Sequence, residues 1–198
     1  MNARLRVGVD VDGVLYQWEP TARLLLNREF GLELTESPYW NYLNDNTTKA
    51  QMDWLWDSHF TYPAGLDAPP VTFRGVFAYG PAYPEAAKAL REIRSLGHKI
   101  ALITSMPNEA ISERVNWLRT AGMVFDEFHT THAKDKSKVA CDVYIEDSAE
   151  NITRIAEERP HAGVYLVDRA WNRNQPLHPA VKVVAGIHEL PRELPKAS

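Results

Sequence analysis

Short apolar runs that end in a polar residue recur along the chain. Residues 5–9 (LRVGV) precede Asp10, and HKIALIT at 98–104, CDVYIE at 141–146 and GVYLVD at 163–168 have the same form. Runs of this length, rich in β-branched residues and bounded by polar or glycine positions, are typical of buried strands. The pattern therefore predicts four strands.

Apolar residues at helical spacing separate these runs. They recur after Pro84 up to Gly97, within 108–122, and within 148–160, where a capping serine comes first and a proline last. Strands that alternate with helices favour a parallel sheet with right-handed crossovers, and ligands of such sheets bind beyond the carboxyl ends of the strands. We therefore predict an α/β fold, a three-layer Rossmann-like core. Asp10, Thr104, Glu146 and Asp147 fall at the strand ends.

Residues 19–82 do not follow this alternation. They are rich in aromatic residues and contain helix-like segments near 20–29 and 47–58. We predict a small, mainly helical insertion after the first strand, so that 1–18 and 83–198 form the core domain and 19–82 a second unit. Trp40, Trp54 and Trp56 are interpreted as a small hydrophobic core of that unit.

Composition narrows the range of partners. The 198 residues are 44% hydrophobic and carry a net charge of −4, which argues against a nucleic-acid polymer because phosphate backbones are bound by clustered basic faces. Cys141 is the one cysteine of the chain, so no intramolecular disulfide forms. An aspartate arrives too early for a secretory signal, and no apolar stretch approaches about 18 residues. The expectation is a soluble, cytoplasmic protein without membrane partners.

Asp10 and Asp12 are like charges at the end of a strand, followed by Gly13, which permits a turn. A divalent cation would offset their repulsion, since Mg²⁺ takes hard oxygen ligands and bridges carboxylates to phosphate. One aspartate could then attack phosphorus while the other moves the proton. Taken alone, the pair could equally be a solvated turn or a calcium loop.

Four motifs occur in order: DVDGVL at 10–15, LITS at 102–105, DKSK at 135–138 and YIED at 144–147. Together they resemble the motifs of haloacid dehalogenase-like phosphohydrolases, which carry a helical cap at the position of the insertion seen here. The chain is most similar to the 5'(3')-deoxyribonucleotidase branch. The pattern DMDGVLADFE, CTSP, DKT and FDQPYNR of that branch corresponds to DVDGVLYQWE, ITSMP, DKSKVACDVYIED and VDRAWNRN.

The resemblance implies roles for individual residues. Asp10 would be the nucleophile that forms an aspartyl-phosphate, and Asp12 the general acid and base. Thr104, with Ser105 as the second choice, would bind the phosphoryl oxygens. Lys136 would neutralise the negative charge of the nucleophile Asp10 and of the phosphate. Mg²⁺ would be held by Asp10, the backbone carbonyl of Asp12, and Asp147. Glu146 replaces one of the paired aspartates of the branch and is expected as the second acid of the metal site, directly or through a water molecule.

Substrate choice is expected to come from the insertion. Trp18 occupies the position at which the branch carries an aromatic residue that stacks on the base, and Arg173 is a further candidate for substrate binding. The resemblance thus implies a phosphomonoesterase for (deoxy)nucleoside monophosphates. A homodimer is compatible with this interpretation. Three alternatives stay open: a phosphatase for another small phosphomonoester, a phosphatase of polynucleotide ends, and a nucleotide-binding protein without turnover.

Overall fold

A six-stranded parallel sheet forms the centre of the molecule. The computed structural model describes residues 3–39, 41–57, 59–62 and 71–197. Its strands are β1 (Arg6–Val9), β4 (Lys99–Thr104), β5 (Glu127–Thr130), β6 (Val143–Glu146), β7 (Gly163–Val167) and β8 (Lys182–Val184). The strand order is β5-β4-β1-β6-β7-β8, so β1 is paired with β4 on one side and β6 on the other.

Helices cover both faces of this sheet. Val143 and Ile145 of β6 belong to one hydrophobic cluster, and Tyr144 between them belongs to a second cluster on the opposite face. This alternation follows from the two-residue period of a strand and confirms the three-layer α/β core. The helices are α4 (Ala86–Ser95), α5 (Ile111–Thr120), α6 (Ala149–Glu158) and the short α7 (Leu190–Glu193).

The helix ends match the sequence signals. Gly97 and Gly122 follow α4 and α5 with φ of 94° and 71°, a left-handed conformation that glycine adopts without a steric penalty. The hydroxyl of Ser148 accepts a hydrogen bond from the Asn151 amide at 3.3 Å and caps α6. The three predicted helices are confirmed.

The insertion between β1 and α4 is mainly helical, as predicted, but it also contains a β-hairpin that the sequence did not suggest. Strands β2 and β3 pair antiparallel in a sheet of their own. The elements are α1 (Trp18–Phe30), α2 (Tyr42–Asp45), α3 (Lys49–Asp57), β2 (His59–Tyr62) and β3 (Val71–Arg74).

The tryptophans of the insertion make separate contacts. Trp54 meets Phe30 edge to face at 5.0 Å between ring centroids, whereas Trp56 stacks on Trp18 at 5.6 Å. Trp40 lies outside the described residues. Trp54 and Trp56 both pack against the large hydrophobic cluster of the molecule, in keeping with the predicted role in a hydrophobic core. Among the described residues no helix is long and apolar enough to cross a membrane.

Candidate active site

Three acids meet at the carboxyl edge of the sheet. Asp10 follows β1, Glu146 ends the neighbouring strand β6, and Asp147 comes next. One carboxylate oxygen from each residue lies within 4.8 Å of the others, and all three residues are buried. The parallel pairing of β1 with β6 therefore brings together acids that are more than 130 positions apart in sequence.

Lys136 joins this group from a 3₁₀ turn at Ala133–Lys138. Its Nζ lies 2.8 Å from Asp10 Oδ1 and 2.5 Å from Glu146 Oε1, and the residue is 5% exposed. A buried lysine is tolerated when carboxylates pair with it, as they do here. The expected proximity of Lys136 to Asp10 is thus present.

Glu146 makes hydrogen bonds with four donors. Oε1 accepts from Lys136 and from the Asn151 side-chain amide at 3.2 Å, while Oε2 accepts from the backbone N–H groups of Asp147 at 2.9 Å and Ser148 at 3.1 Å. These donors use both carboxylate oxygens. Glu146 therefore fixes the position of Lys136, and among the three acids Asp10 and Asp147 are the better placed to bind a cation directly.

Two residues of a 3₁₀ turn at Ala170–Asn172 hold Asp147. The indole N–H of Trp171 donates to Asp147 Oδ2 at 3.1 Å, and the Asn172 side-chain amide donates to the backbone oxygen of Asp147 at 2.8 Å. Sequence reasoning gave neither residue this role. Their place directly beyond β7, at the same edge of the sheet as Asp10, was the available signal.

The turn after Asp10 requires glycine. Gly13 has a φ of 77°, and a Cβ added there would lie 2.0 Å from Asp147 Oδ2. Arg169 donates from Nε to the Gly13 carbonyl at 2.8 Å and so holds the same turn from the end of β7. Any side chain at position 13 would displace Asp147.

Asp12 has its own donors. Its Oδ1 accepts a hydrogen bond from Arg114 Nη2 at 2.7 Å, and its Oδ2 accepts one from the Thr104 hydroxyl at 3.4 Å. Arg114 is fully buried, on helix α5. Sequence reasoning missed this residue, although an arginine three positions after Ile111 and four before Leu118 lies on the apolar face of the helix.

The electrostatics of the acids reflect their burial. Burial and the charge of Glu146 raise the pKa values of Asp10 and Asp147 well above the ordinary range. Burial also raises the pKa of Asp12, with partial compensation by Arg114 and Lys136. Burial would raise the pKa of Glu146 as well, but Lys136 and the backbone N–H groups outweigh it, and the pKa is lowered.

The side chains present fit a divalent cation. Asp10, Asp12, Glu146 and Asp147 carry four negative charges when ionised, against the two positive charges of Lys136 and Arg114. Burial is the main cause of the raised pKa values of Asp10 and Asp147, and the charge of Glu146 adds to it, so a bound cation would favour the ionised forms of both acids. Buried carboxylate oxygens are hard ligands of the kind that Mg²⁺ binds.

A cavity of about 280 Å³ opens above these acids. Its floor is polar and comes from the sheet, and its opposite wall comes from the insertion and is mainly aromatic and apolar. We call these the acidic floor (Asp10, Asp12, Lys136, Glu146 and Asp147) and the aromatic wall (Trp18, Tyr39, Tyr42, Leu43, Met52 and Trp56).

Of the remaining predicted site residues, some line this cavity and others do not. Trp18 and Ser105, both predicted to bind substrate, line it. Thr104 is fully buried beneath it and donates to Asp12, so the exposed Ser105 is better placed than Thr104 to contact a ligand. Arg173 does not line the cavity. Its guanidinium forms two hydrogen bonds of 2.9 Å with Asp168, and the side chain is 62% exposed.

The fold is that of haloacid dehalogenase-like hydrolases. A haloacid dehalogenase-like family hydrolase from Xanthomonas campestris superposes with a TM-score of 0.55 at 11% identity, covering 98% of this chain and 95% of that one. The L-2-haloacid dehalogenase from Xanthobacter autotrophicus gives 0.57 at 13% identity, covering 96% and 97%. At these identities the likeness concerns the fold.

Sequence comparison identifies the family. Residues 4–176 match the model of the family described as 5' nucleotidase, deoxy (pyrimidine), cytosolic type C protein. A protein of Chlorobaculum tepidum named "Putative 5'(3')-deoxyribonucleotidase" is 29% identical over 159 residues, which are 75% of this chain and 72% of that protein. The chain belongs to this family of nucleotidase-type phosphatases and is a phosphoric monoester hydrolase.

Proposed function

We propose that the protein is a Mg²⁺-dependent phosphatase that hydrolyses (deoxy)nucleoside monophosphates through an aspartyl-phosphate on Asp10. The observation that carries this proposal is the cavity itself, in which the acidic floor faces the aromatic wall. A phosphate group suits a floor with Lys136 and a bound cation, and a nucleobase suits a wall of aromatic rings. The volume of about 280 Å³ is close to the lower end of small-molecule sites.

The first step would form an acyl phosphate. An oxygen of Asp10 attacks phosphorus, the bond between phosphorus and the sugar oxygen breaks, and Asp12 gives its proton to the departing oxygen. The raised pKa of Asp12 supports its use as an acid. Lys136, 2.8 Å from Asp10, would compensate the charge of the phosphoryl oxygens.

The second step would return the enzyme to its starting state. Asp12, now a carboxylate, takes a proton from a water molecule that attacks phosphorus, and the bond to the Asp10 oxygen breaks to release phosphate. Ser105, which lines the cavity, would contact the phosphoryl oxygens. Asp10, the backbone carbonyl of Asp12 and Asp147 would hold Mg²⁺, with Glu146 acting through Lys136. The bound ion would supply positive charge next to the phosphate.

The aromatic wall would select the substrate. Trp18 stacks on Trp56 at an interplanar angle of 25°. The two rings would form an extended aromatic surface on which a nucleobase can stack. Stacking on an aromatic side chain contributes about 1–3 kcal/mol per base. Residues 19–82 would act as a cap over the core formed by 1–18 and 83–198. Because the family description includes the words deoxy and pyrimidine, we would test pyrimidine deoxynucleoside monophosphates first.

The test is a screen of phosphate release with purified protein. The panel contains 5'- and 3'-monophosphates of pyrimidine and purine nucleosides and deoxynucleosides, with sugar phosphates as comparison, each with Mg²⁺ and with chelator. We expect nucleoside monophosphates to be the best substrates and chelator to abolish turnover. Preference for a sugar phosphate, or turnover that chelator leaves unchanged, would contradict the proposal.

A further inference from the structure

Arg114 is the second buried cation of the site, and its surroundings differ from those of Lys136. Its guanidinium is fully buried, yet its contact with Asp12 uses Nη2 alone. Nε and Nη1 are buried and have no hydrogen-bond partner among the described residues. Burying a charged group with unpaired nitrogen atoms is costly, so a fold that retains one invites a functional explanation.

Three aromatic rings surround this guanidinium. Its carbon lies 4.3 Å from the ring centroid of Tyr16, 5.3 Å from that of Phe77 and 5.6 Å from that of Trp117. Contacts of a cation with ring faces at such distances are attractive and also fix the plane of the guanidinium. We call these three residues the aromatic cage.

The aromatic cage connects Asp12 to both ends of the insertion. Tyr16 precedes α1, and its hydroxyl lies within hydrogen-bonding distance of the backbone oxygen atoms of Val76 and Tyr79, beyond β3. The Trp117 indole donates to the Gly80 oxygen at 2.9 Å. The two stretches of chain that lead into and out of the insertion are thereby packed around the side chain that contacts Asp12.

Arginine is rarely fully buried unless it is paired. Replacement of a whole buried ion pair by apolar residues of similar volume is often neutral or stabilising, whereas removal of one partner leaves the other charge uncompensated, and the cage offers Arg114 no second carboxylate among the described residues. Packing alone therefore does not explain an arginine here. The side chain that needs it is Asp12, whose carboxylate is held on one oxygen by Arg114 and on the other, at the longer distance of 3.4 Å, by Thr104.

We propose that Arg114 is a positioning residue for the reaction: it holds the Asp12 carboxylate on the α5 side of the site, where it can reach the departing oxygen, and keeps it apart from Lys136. This inference rests on the proposed function. Without Arg114, the neighbouring cation that attracts Asp12 is Lys136, which already pairs with Asp10. A released Asp12 would turn towards it and leave the position needed for proton transfer.

The test is a double-mutant cycle of Arg114→Met with Asp12→Asn. We expect Arg114→Met to lower kcat for the best nucleoside monophosphate by about 100-fold, as for a misplaced reacting group, while KM changes less than about 2-fold. In the Asp12→Asn background the same substitution should change residual turnover less than about 2-fold, because the group that it positions no longer transfers a proton.

A second readout separates positioning from a general structural defect. In single turnovers, a substrate whose leaving group departs as a stable anion, such as p-nitrophenyl phosphate, needs little proton donation. Arg114→Met should therefore slow the first step for p-nitrophenyl phosphate at least about 10-fold less than for the nucleoside monophosphate. Added guanidinium ion should restore part of the lost rate in an Arg114→Ala variant.

The controls keep the outcome decisive. Arg119→Met changes an exposed arginine of the same helix and should leave kcat unchanged. If Arg114→Met does not fold, Arg114→Lys carries the same cycle, since lysine keeps the charge but loses the planar contact with the cage.

Two outcomes would overturn different parts of the account. Failure of the wild-type protein to hydrolyse any monophosphate would refute the proposed function. The positioning role alone would be refuted if the wild type is active and Arg114→Met lowers turnover by the same factor in the Asp12→Asn background as with Asp12 intact. An equal loss of rate on the nucleoside monophosphate and on p-nitrophenyl phosphate would refute it as well.

Discussion

The acidic floor and the aromatic wall are built in different ways. Most floor residues lie at the ends of neighbouring strands of one sheet, most are buried, and within the floor Glu146 accepts hydrogen bonds from Lys136 and the backbone of Asp147. The wall comes from the insertion and includes side chains as exposed as Tyr39, at 71%. A rigid floor suits a reaction common to all phosphomonoesters, and a more accessible wall suits the choice among them.

The largest effect is expected from the floor, with Asp10→Asn. Loss of the attacking oxygen should lower kcat by about 10⁴-fold or more for every substrate alike. Phosphate release from a nucleotide and from p-nitrophenyl phosphate measures this, with thermal unfolding as the check on folding. The matched control is Asp168→Asn, because Asp168 pairs with Arg173 away from the cavity. A variant that keeps more than about a tenth of the activity would remove Asp10 from its proposed role.

The wall should give a smaller and selective effect, with Trp18→Ala. Loss of a stacking surface worth about 1–3 kcal/mol should reduce kcat/KM for nucleoside monophosphates by roughly 5- to 150-fold. The reduction for p-nitrophenyl phosphate should be several-fold smaller, and Trp54→Ala serves as a control on a tryptophan outside the cavity lining. Equal losses on both substrates would mean that Trp18 serves packing against Trp56 and not substrate selection.

The charge of the floor predicts how Mg²⁺ stabilises the protein at different pH. Asp10 and Asp147 have raised pKa values in the metal-free protein, so the folded state holds protons that the unfolded chain has released, and these groups destabilise the fold as pH rises above the ordinary aspartate pKa of 3.8. Glu146 acts in the opposite direction, since its lowered pKa gives stability that is lost as pH falls.

A cation that pairs with Asp10 and Asp147 should therefore stabilise more at about pH 8 than at about pH 5. Saturating Mg²⁺ is expected to raise Tm by about 5–10 °C at the higher pH and by less at the lower one. Thermal unfolding with Mg²⁺ and with chelator measures the difference, and Asp147→Asn should reduce the shift at the higher pH. A Tm shift of equal size at both pH values would contradict the inference that Asp10 and Asp147 hold protons in the metal-free folded protein.

The smallest effect is expected for Arg173→Met. The Arg173 side chain is exposed and paired with Asp168, so kcat/KM should change less than about 2-fold for every substrate. A loss above about 10-fold would show that Arg173 reaches the substrate in the working enzyme, and the wall would then extend to the loop after β7.

The sequence predicted the floor better than the wall. Strands β1, β4, β6 and β7 are apolar runs that end in the polar residues of the site, so periodicity alone located Asp10, Glu146 and Asp147. The edge strands β5 (EFHT) and β8 (KVV) were not predicted, because a short edge strand is half exposed and lacks an extended apolar run.

Contacts between distant parts of the chain could not be predicted from the sequence. Arg114 meets Asp12 across 102 positions and Trp171 meets Asp147 across 24, so neither partner is visible in a local pattern. The sequence predicted Thr104 as the residue that contacts the phosphoryl group, whereas the structure favours Ser105. The difference depends on which of these two adjacent side chains turns inward at the end of β4. The hairpin of β2 and β3 lies in a segment where aromatic residues gave no clear strand period.

The most direct test of the account is to trap the phosphorylated enzyme. The Asp12→Asn variant is mixed with Mg²⁺ and p-nitrophenyl phosphate labelled in its phosphoryl group, then quenched, digested and analysed by mass spectrometry. This leaving group needs little proton donation, so the first step should proceed in the variant while the second step is slowed. We predict one phosphoryl group on Asp10, removable by hydroxylamine as expected for an acyl phosphate, and no label when Asp10 is also changed to asparagine. Steady turnover by the wild-type protein with no phosphoryl group on Asp10 in either enzyme would contradict the account.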